Sequence, residues 1–324
     1  MRAHPFRLNL ALLLGLLLAI GLSLVAGKVW LPWDAWSASD PRWLIIVELR
    51  LPRTMLALLV GAALGLAGAA MQGYLRNPLA DPGLFGISSG AALGAVLSLF
   101  FGYAASAFLL PLFALTGAAV SMTLLALLAG RSGSLILFAL AGMMLSSVTG
   151  SMTALAISLA PTPFAASEIV TWLMGALTDR SWQDVRIALP IIGLGVVSLA
   201  LTARSLDALT LGEQAARSMG VDPRRLQLLI VLGVGLCVGA AVISAGIIGF
   251  VGLMVPHIVR PLAGGRPSAL LLPSALGGAL LLLLADSLVR AAPTVSELRL
   301  GIAMSMLGGP FFLALLIHMR RSLA

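Results

Sequence analysis

The chain has 324 residues, 60% hydrophobic and only 10% charged, with a mean hydropathy of +1.08. That composition lies outside the range of soluble globular domains and places the protein in a membrane. The net charge of +8 and the pI of 11.3 come from basic residues scattered between apolar runs, without a basic cluster interleaved with aromatics. Nucleic-acid binding is thereby excluded, and the arginines are read first as topology signals.

Ten helical spans are expected, at 8–26, 54–74, 84–102, 105–129, 135–159, 186–203, 227–247, 250–264, 269–289 and 300–318. The first follows Arg2 and Arg7 and imitates a secretory signal. Its apolar run of about nineteen residues exceeds the usual 7–15 of a signal core and is long enough to cross a bilayer, so it reads as the first span. The outer loop from Lys28 to Arg53 carries Trp30, Trp33, Trp36 and Trp43, suited to an aromatic belt at the interface.

Small residues recur at helical spacing: Gly61, Gly65 and Gly68, then Gly86, Gly90 and Gly94, then Gly235 and Gly239. In lipid such faces let backbones approach, which implies a tight bundle and no particular function. A Gly-Ala-Ala at 68–70 returns at 239–241 in a span of opposite direction, a weak sign of an inverted repeat. Between spans 2 and 3, Arg76-Asn77-Pro78-Leu79-Ala80-Asp81-Pro82 forms a proline-bounded turn. Asp81 is placed as an N-cap and Pro82 as the first helical residue of span 3.

The loop from Ala160 to Val185 is expected to hold a short helix near 167–175 at the outer surface. From Arg204 to Arg225 runs a sustained polar stretch. Thr210 and Glu213 have capping-box spacing, which predicts a helix starting at Leu211. Gly220 is placed to end it in a left-handed conformation, and Pro223 to prevent its continuation. A helix of about nine residues is marginal alone in water and needs a partner surface. An ordinary amphipathic loop fits the same local pattern.

Asp286 is the sole acid inside an expected span, with Arg290 four residues on, so an i,i+4 ion pair is available. A structural pair fits this spacing better than a proton relay. His4, His257 and His318 are far apart and show no metal-ligand spacing, and no nucleophile motif is present. His257 is expected near the cytoplasmic end of its helix. No residue set points to enzyme chemistry.

Ten spans put both termini on one side. If that side is the cytoplasm, it receives Arg2, Arg7, Arg76, Arg131, Arg204, Arg217, Arg224, Arg225, Arg260, Arg266, Arg320 and Arg321 against Asp81, Asp207, Glu213 and Asp222. The Lys/Arg bias of short loops therefore favours cytoplasmic termini. A phosphate-binding P-loop ends in Gly-Lys-Ser/Thr, and the only lysine is Lys28, followed by Val29. Energy from ATP would have to come from another chain.

Several strings together resemble one family: Leu49-Arg50-Leu51-Pro52-Arg53, the 76–82 turn, Glu213-Gln214-Ala215-Ala216 with Gly220, Gly249 to His257, Leu284-Ala285-Asp286 and Gly308-Gly309-Pro310-Phe311-Phe312. The chain is identified through them as a member of the FecCD-type permeases, membrane subunits of bacterial ABC importers for ferric siderophores, haem and vitamin B12. The resemblance covers nearly the whole chain. It implies a single all-α permease domain over 1–324 with the type II ABC-importer architecture, in the inner membrane. It also implies a second permease copy (a homodimer, or a pseudo-dimer with a close relative), two ABC ATPase subunits that bind ATP and magnesium, and a substrate-binding protein outside. No cofactor is expected on this chain, and its remaining surroundings would be membrane lipid.

Residue roles follow from the same resemblance. Thr210, Leu211, Glu213, Ala215, Ala216, Met219 and Gly220 would form the coupling segment seated on the ATPase. Arg50, Arg53 and Arg290 would be exposed outer arginines that meet acidic residues of the binding protein. Asn77 and Leu79, with Ser132 and Ser134, would close the cytoplasmic end of the path. Spans 5, 8 and 10 and the outer helix would line it. Met143, Met144, Met152, Met304 and Met306 are available on those spans without selecting among iron chelate, haem and cobalamin.

Overall fold

The computed structural model describes residues 5–32, 36–37, 39–103, 106, 108–129, 135–293 and 296–323, and these are all-helical. Each of the ten expected segments coincides with a helix. These are α1 (Pro5–Val25), α2 (Leu51–Tyr74), α3 (Ile87–Phe100), α4 (Leu109–Ala129), α5 (Leu135–Ser158), α7 (Trp182–Ala200), α10 (Pro223–Ala245), α11 (Val251–Ala263), α12 (Pro267–Ala291) and α13 (Leu300–Leu323). Three shorter helices lie between them: α6 (Pro163–Leu173), α8 (Ala203–Leu209) and α9 (Glu213–Ser218). By length and composition, seven helices among the described residues are apolar enough to cross a membrane, while the apolar stretches at 87–100, 251–263 and 300–315 are shorter.

Burial sorts the bundle. In α2 and α10, 78% of the most apolar stretch is buried, against 17% in α1 and 28% in α4, α5 and α7. The first two are therefore the central posts. Around α2 pack α12, α10, α11 and α7, while α3, α4 and α5 form a second group joined through α10. The glycine faces make this packing possible. A Cβ on Gly61 or Gly65 would strike the carbonyls of Gly278 or Ser274 on α12, and one on Gly68 the carbonyl of Gly252 on α11. Likewise Gly90 and Gly117 bring α3 against α4.

Gly86 departs from the expected pattern. It lies outside α3, at φ +81°, and forms the left-handed joint after a 3₁₀ turn at Pro82–Phe85. Asp81 does cap, accepting from the Gly83 N–H at 2.7 Å, but it caps that turn and not the long helix. Span 3 accordingly begins three residues later than expected. Helix α6 begins earlier than expected, because Thr162 caps it by accepting from the Ala165 N–H at 3.1 Å and Pro163 follows. His257 sits in the middle of α11, not at its end, with its ring 6.1 Å from that of Phe311. Of the loop tryptophans, Trp30 is exposed, whereas Trp36 and Trp43 pack on Leu31 and Ile46. Trp33 lies outside the described residues.

Candidate functional site

Two polar assemblies stand at opposite ends of the bundle. The first is built on α9. Its start differs from the capping-box expectation. Thr210 ends α8, its hydroxyl donating to the Asp207 carbonyl at 2.7 Å, and Gly212 at φ +101° is the N-cap of α9 with no side-chain cap. With that hydroxyl turned back onto its own helix and Gly212 taking the N-cap position, the polar stretch folds as two short helices instead of one.

The end of α9 follows the sequence. Gly220 has φ +86°; its N–H bonds to the Arg217 carbonyl at 3.0 Å, and the Val221 N–H bonds to the Ala216 carbonyl at 3.0 Å. This is a Schellman stop. Pro223 then opens α10, with Asp222 capping it through the Arg224 N–H at 2.9 Å.

Only one side of α9 is anchored. Ala216 is buried against a cavity of about 20 Å³ lined by Tyr74, Leu209, Val221 and Leu226. Ala215 is partly exposed, while Leu211 and Met219 are 67% and 62% exposed. Glu213 reaches Arg76 at 3.8 Å, a half-exposed pair worth at most about 1 kcal/mol. That pair joins the segment to the 76–82 turn, where the exposed Asn77 accepts from the Leu79 N–H at 2.9 Å. Beneath it, Tyr74 makes an edge-on contact with Phe138 of α5 at 5.4 Å, and Phe138 meets Phe85 of the 3₁₀ turn at 5.6 Å. Ser132 and Ser134 lie outside the described residues.

Sequence reasoning missed what holds α8. The Asp207 carboxylate accepts from the Ser268 N–H at 2.9 Å and from its hydroxyl at 2.6 Å, which fixes α8 to the first turn of α12. It also missed Gln72, a polar residue in an apolar span and thus a visible signal. Gln72 is buried, accepts from Arg260 Nη2 at 2.7 Å, and donates to the Leu253 carbonyl at 3.2 Å.

The second assembly gathers Arg50, Arg53, Asp286 and Arg290, and here exposure was wrongly expected. The three arginines are only 8%, 9% and 6% exposed. Arg50 ends a π-helical turn at Ile45–Arg50 and donates to the carbonyls of Leu24, Val25 and Val29 at 2.6–2.7 Å. Arg53 holds Asp286 with two nitrogens at 2.8–3.0 Å and reaches Glu297 at 3.0 Å. Arg290 donates to the carbonyl and hydroxyl of Ser23, both at 2.8 Å.

The expected Asp286–Arg290 pair exists at 3.5 Å, but Arg53 is the nearer partner of the fully buried Asp286. Glu297, unremarked in the sequence, also accepts from the Thr178 hydroxyl at 3.1 Å. Burial follows because each guanidinium finds carbonyls or carboxylates on a neighbouring element, which offsets its desolvation.

The same end is closed by backbone. The Gly301 N–H donates to the Gly175 carbonyl at 3.1 Å and the Ala176 N–H to the Ala245 carbonyl at 2.8 Å, so α13, the loop after α6 and the end of α10 meet.

An all-helical apolar bundle of this kind is the architecture of a membrane transport permease. Comparison with known proteins bears out that class. The family model of the FecCD transport family matches residues 14–318. The hemin transport system permease HmuU of Yersinia pestis is 36% identical over 293 residues, covering 88% of this chain and 86% of its own. The vitamin B12 import system permease BtuC of Vibrio cholerae is 38% identical, covering 95% and 93%. The Fe(3+) dicitrate transport system permease FecD of Escherichia coli is 36% identical, covering 97% and 100%. A solved structure assigned to the metal-chelate type of ABC transporter, in an inward-facing conformation, superposes with a TM-score of 0.89 at 31% identity, covering 96% of this chain and 99% of that one. The chain is a permease of the ABC-importer kind. It belongs to the FecCD transport family.

Proposed function

We propose that this chain is the membrane-spanning subunit of an ATP-driven importer carrying a ferric chelate across the bacterial inner membrane, with Leu211–Gly220 seated on a partner ATPase. The observation that carries this reading is the asymmetry of α9. Ala216 and Glu213 fasten it to α2 and the 76–82 turn, while Leu211 and Met219 stand exposed beside it. In this reading ATP and magnesium bind the partner, both termini are cytoplasmic, and movement of α9 reaches Phe138 and Phe85 through Tyr74. Such coupling requires contacts that differ between two states.

Two copies of the chain face each other across the path. The exposed face of α5 supports this pairing, because it carries Ser147, Gly150 and Ser151 among Met143, Met144 and Met152. Small polar side chains suit an aqueous path or a partner helix better than acyl chains. The binding protein docks at the outer end, where Arg50, Arg53 and Arg290 organise the loops from within and do not present themselves to it.

The test is reconstitution with the ATPase. Gly220→Pro and Glu213→Arg are expected to leave ATPase activity while abolishing uptake. Normal coupling in both variants would sink the assignment of α9. Haem or cobalamin as cargo is the second reading, favoured by the similarity to HmuU and BtuC. The ligand retained by the cognate binding protein decides among the three.

A further inference from the structure

An open groove of about 640 Å³ lies where the end of α7 meets α8 and the start of α10. Its cations are Arg204 and Arg225, both exposed, and neither has an ion pair among the described residues. The one carboxylate lining it, Asp222, already has Oδ1 engaged in capping α10. Beside these charges and the Ser205 hydroxyl, Leu201, Leu226 and Leu229 give it an apolar side.

That apolar wall does not stop at the rim. Leu201 is 62% exposed and continues along one side of α7 as Leu194 and Val197, both exposed, at i, i+3 and i+7 spacing. Along α10, Leu228 and Leu232 are exposed as well. The two helices are stitched together at this depth by the Ser198 hydroxyl, which donates to the Leu229 carbonyl at 2.9 Å. Paired cations therefore sit at the water end of a ridge-and-wall surface made for acyl chains.

We infer that this groove binds the phosphate of an anionic phospholipid, with Arg204 and Arg225 on the headgroup and the α7 and α10 ridges along its chains. Basic pockets between membrane helices on the cytoplasmic side attract such headgroups, at about fivefold in affinity per Lys or Arg near the surface. The site rests on the cytoplasmic placement of α8 and α9 and deepens that reading. Because Met219 and Gly220 share the groove, lipid occupancy would brace α8 beside the coupling helix. A carboxylate of the ATPase is the rival occupant. It would satisfy the charges but leave the apolar extension along α7 and α10 without a purpose.

The test uses the full chain in nanodiscs of phosphatidylcholine with and without phosphatidylglycerol, with retained lipid read by native mass spectrometry. Wild type is expected to keep phosphatidylglycerol selectively, and R204Q/R225Q to lose that selectivity by roughly 20- to 30-fold, two charges at about fivefold each. R186Q, at the opposite end of α7, should behave as wild type. Equal selectivity in the double variant overturns the site. So does equal stabilisation of detergent-solubilised protein by inorganic phosphate, which would remove the lipid as source. A double variant that keeps its lipid but no longer copurifies with the ATPase hands the groove to that partner. Impermeant labelling of Q214C, exposed on α9 and outside the groove, tests the underlying orientation separately: reaction from the outer face would overturn the topology and not the groove's chemistry.

Discussion

At the scale of single residues, Arg50, Arg53 and Arg290 show how much burial changes a role. Asp286 is fully buried beside Arg53 and Arg290, so removing its charge strands two guanidiniums away from water. Asp286→Asn is expected to cost about 3–5 kcal/mol and to appear as a lower unfolding temperature and poor yield in detergent. If the variant instead keeps its unfolding temperature and loses only transport, the carboxylate is a proton carrier and not a structural anchor. Glu297 is a contrast, because its side chain is 20% exposed and Arg53 retains Asp286 without it. Glu297→Gln should cost under about 2 kcal/mol by the same measurement. Aspartate and arginine in the same helix could be paired from spacing alone. That Arg53, more than two hundred positions away in the chain, is the closer partner could not, because no local pattern encodes it.

At the scale of elements, α9 and α2 were legible to different depths. The stop of α9 was readable because Gly220 adopts a backbone conformation that few other residues tolerate. Its start was not, because the Thr210 hydroxyl turns back onto the Asp207 carbonyl and Gly212, not Thr210, takes the N-cap position of α9. Tyr74, buried where α2 ends, links this segment to α5. Tyr74→Ala should cost about 3–5 kcal/mol through the cavity it leaves, whereas Tyr74→Phe keeps the ring contact and is expected to retain coupled transport. A Tyr74→Phe variant with free-running ATPase and no uptake would show that the hydroxyl, not the packing, carries the connection. For α2 the glycine spacing announced close approach but not its partners. The structure assigns Gly61 and Gly65 to α12 and Gly68 to α11. Gly68→Val should therefore prevent folding or cost several kcal/mol, since its side chain would fall on the Gly252 carbonyl.

At the scale of the whole molecule, the peripheral helices α4 and α5 bury little of their surface within one chain. The expected outcome in mild detergent is a species containing two chains, measured by light scattering coupled to gel filtration. A stable, transport-competent monomer would overturn the pairing through α5. Cysteines placed at Arg217 and at Glu168 should label from opposite faces in intact vesicles, and same-side labelling would overturn the crossing of α7 between them. Cys237 is buried, so the native thiol should contribute little background.

By itself the sequence determined the membrane setting, the place of ten apolar helices (seven of them long enough to cross a membrane), the left-handed stop at Gly220 and the absence of a P-loop in this chain. Each of these is a local property, carried by composition, periodicity or a single backbone preference. Only the tertiary structure decided that Arg50, Arg53 and Arg290 turn inward, that Asp207 holds α12, that Gln72 meets Arg260, and that Arg204 and Arg225 share a groove with the end of α7. Those outcomes depend on which helices become neighbours. In a bundle whose packing faces are all small and apolar, many pairings satisfy the same local rules, and the buried polar partners are what tell them apart.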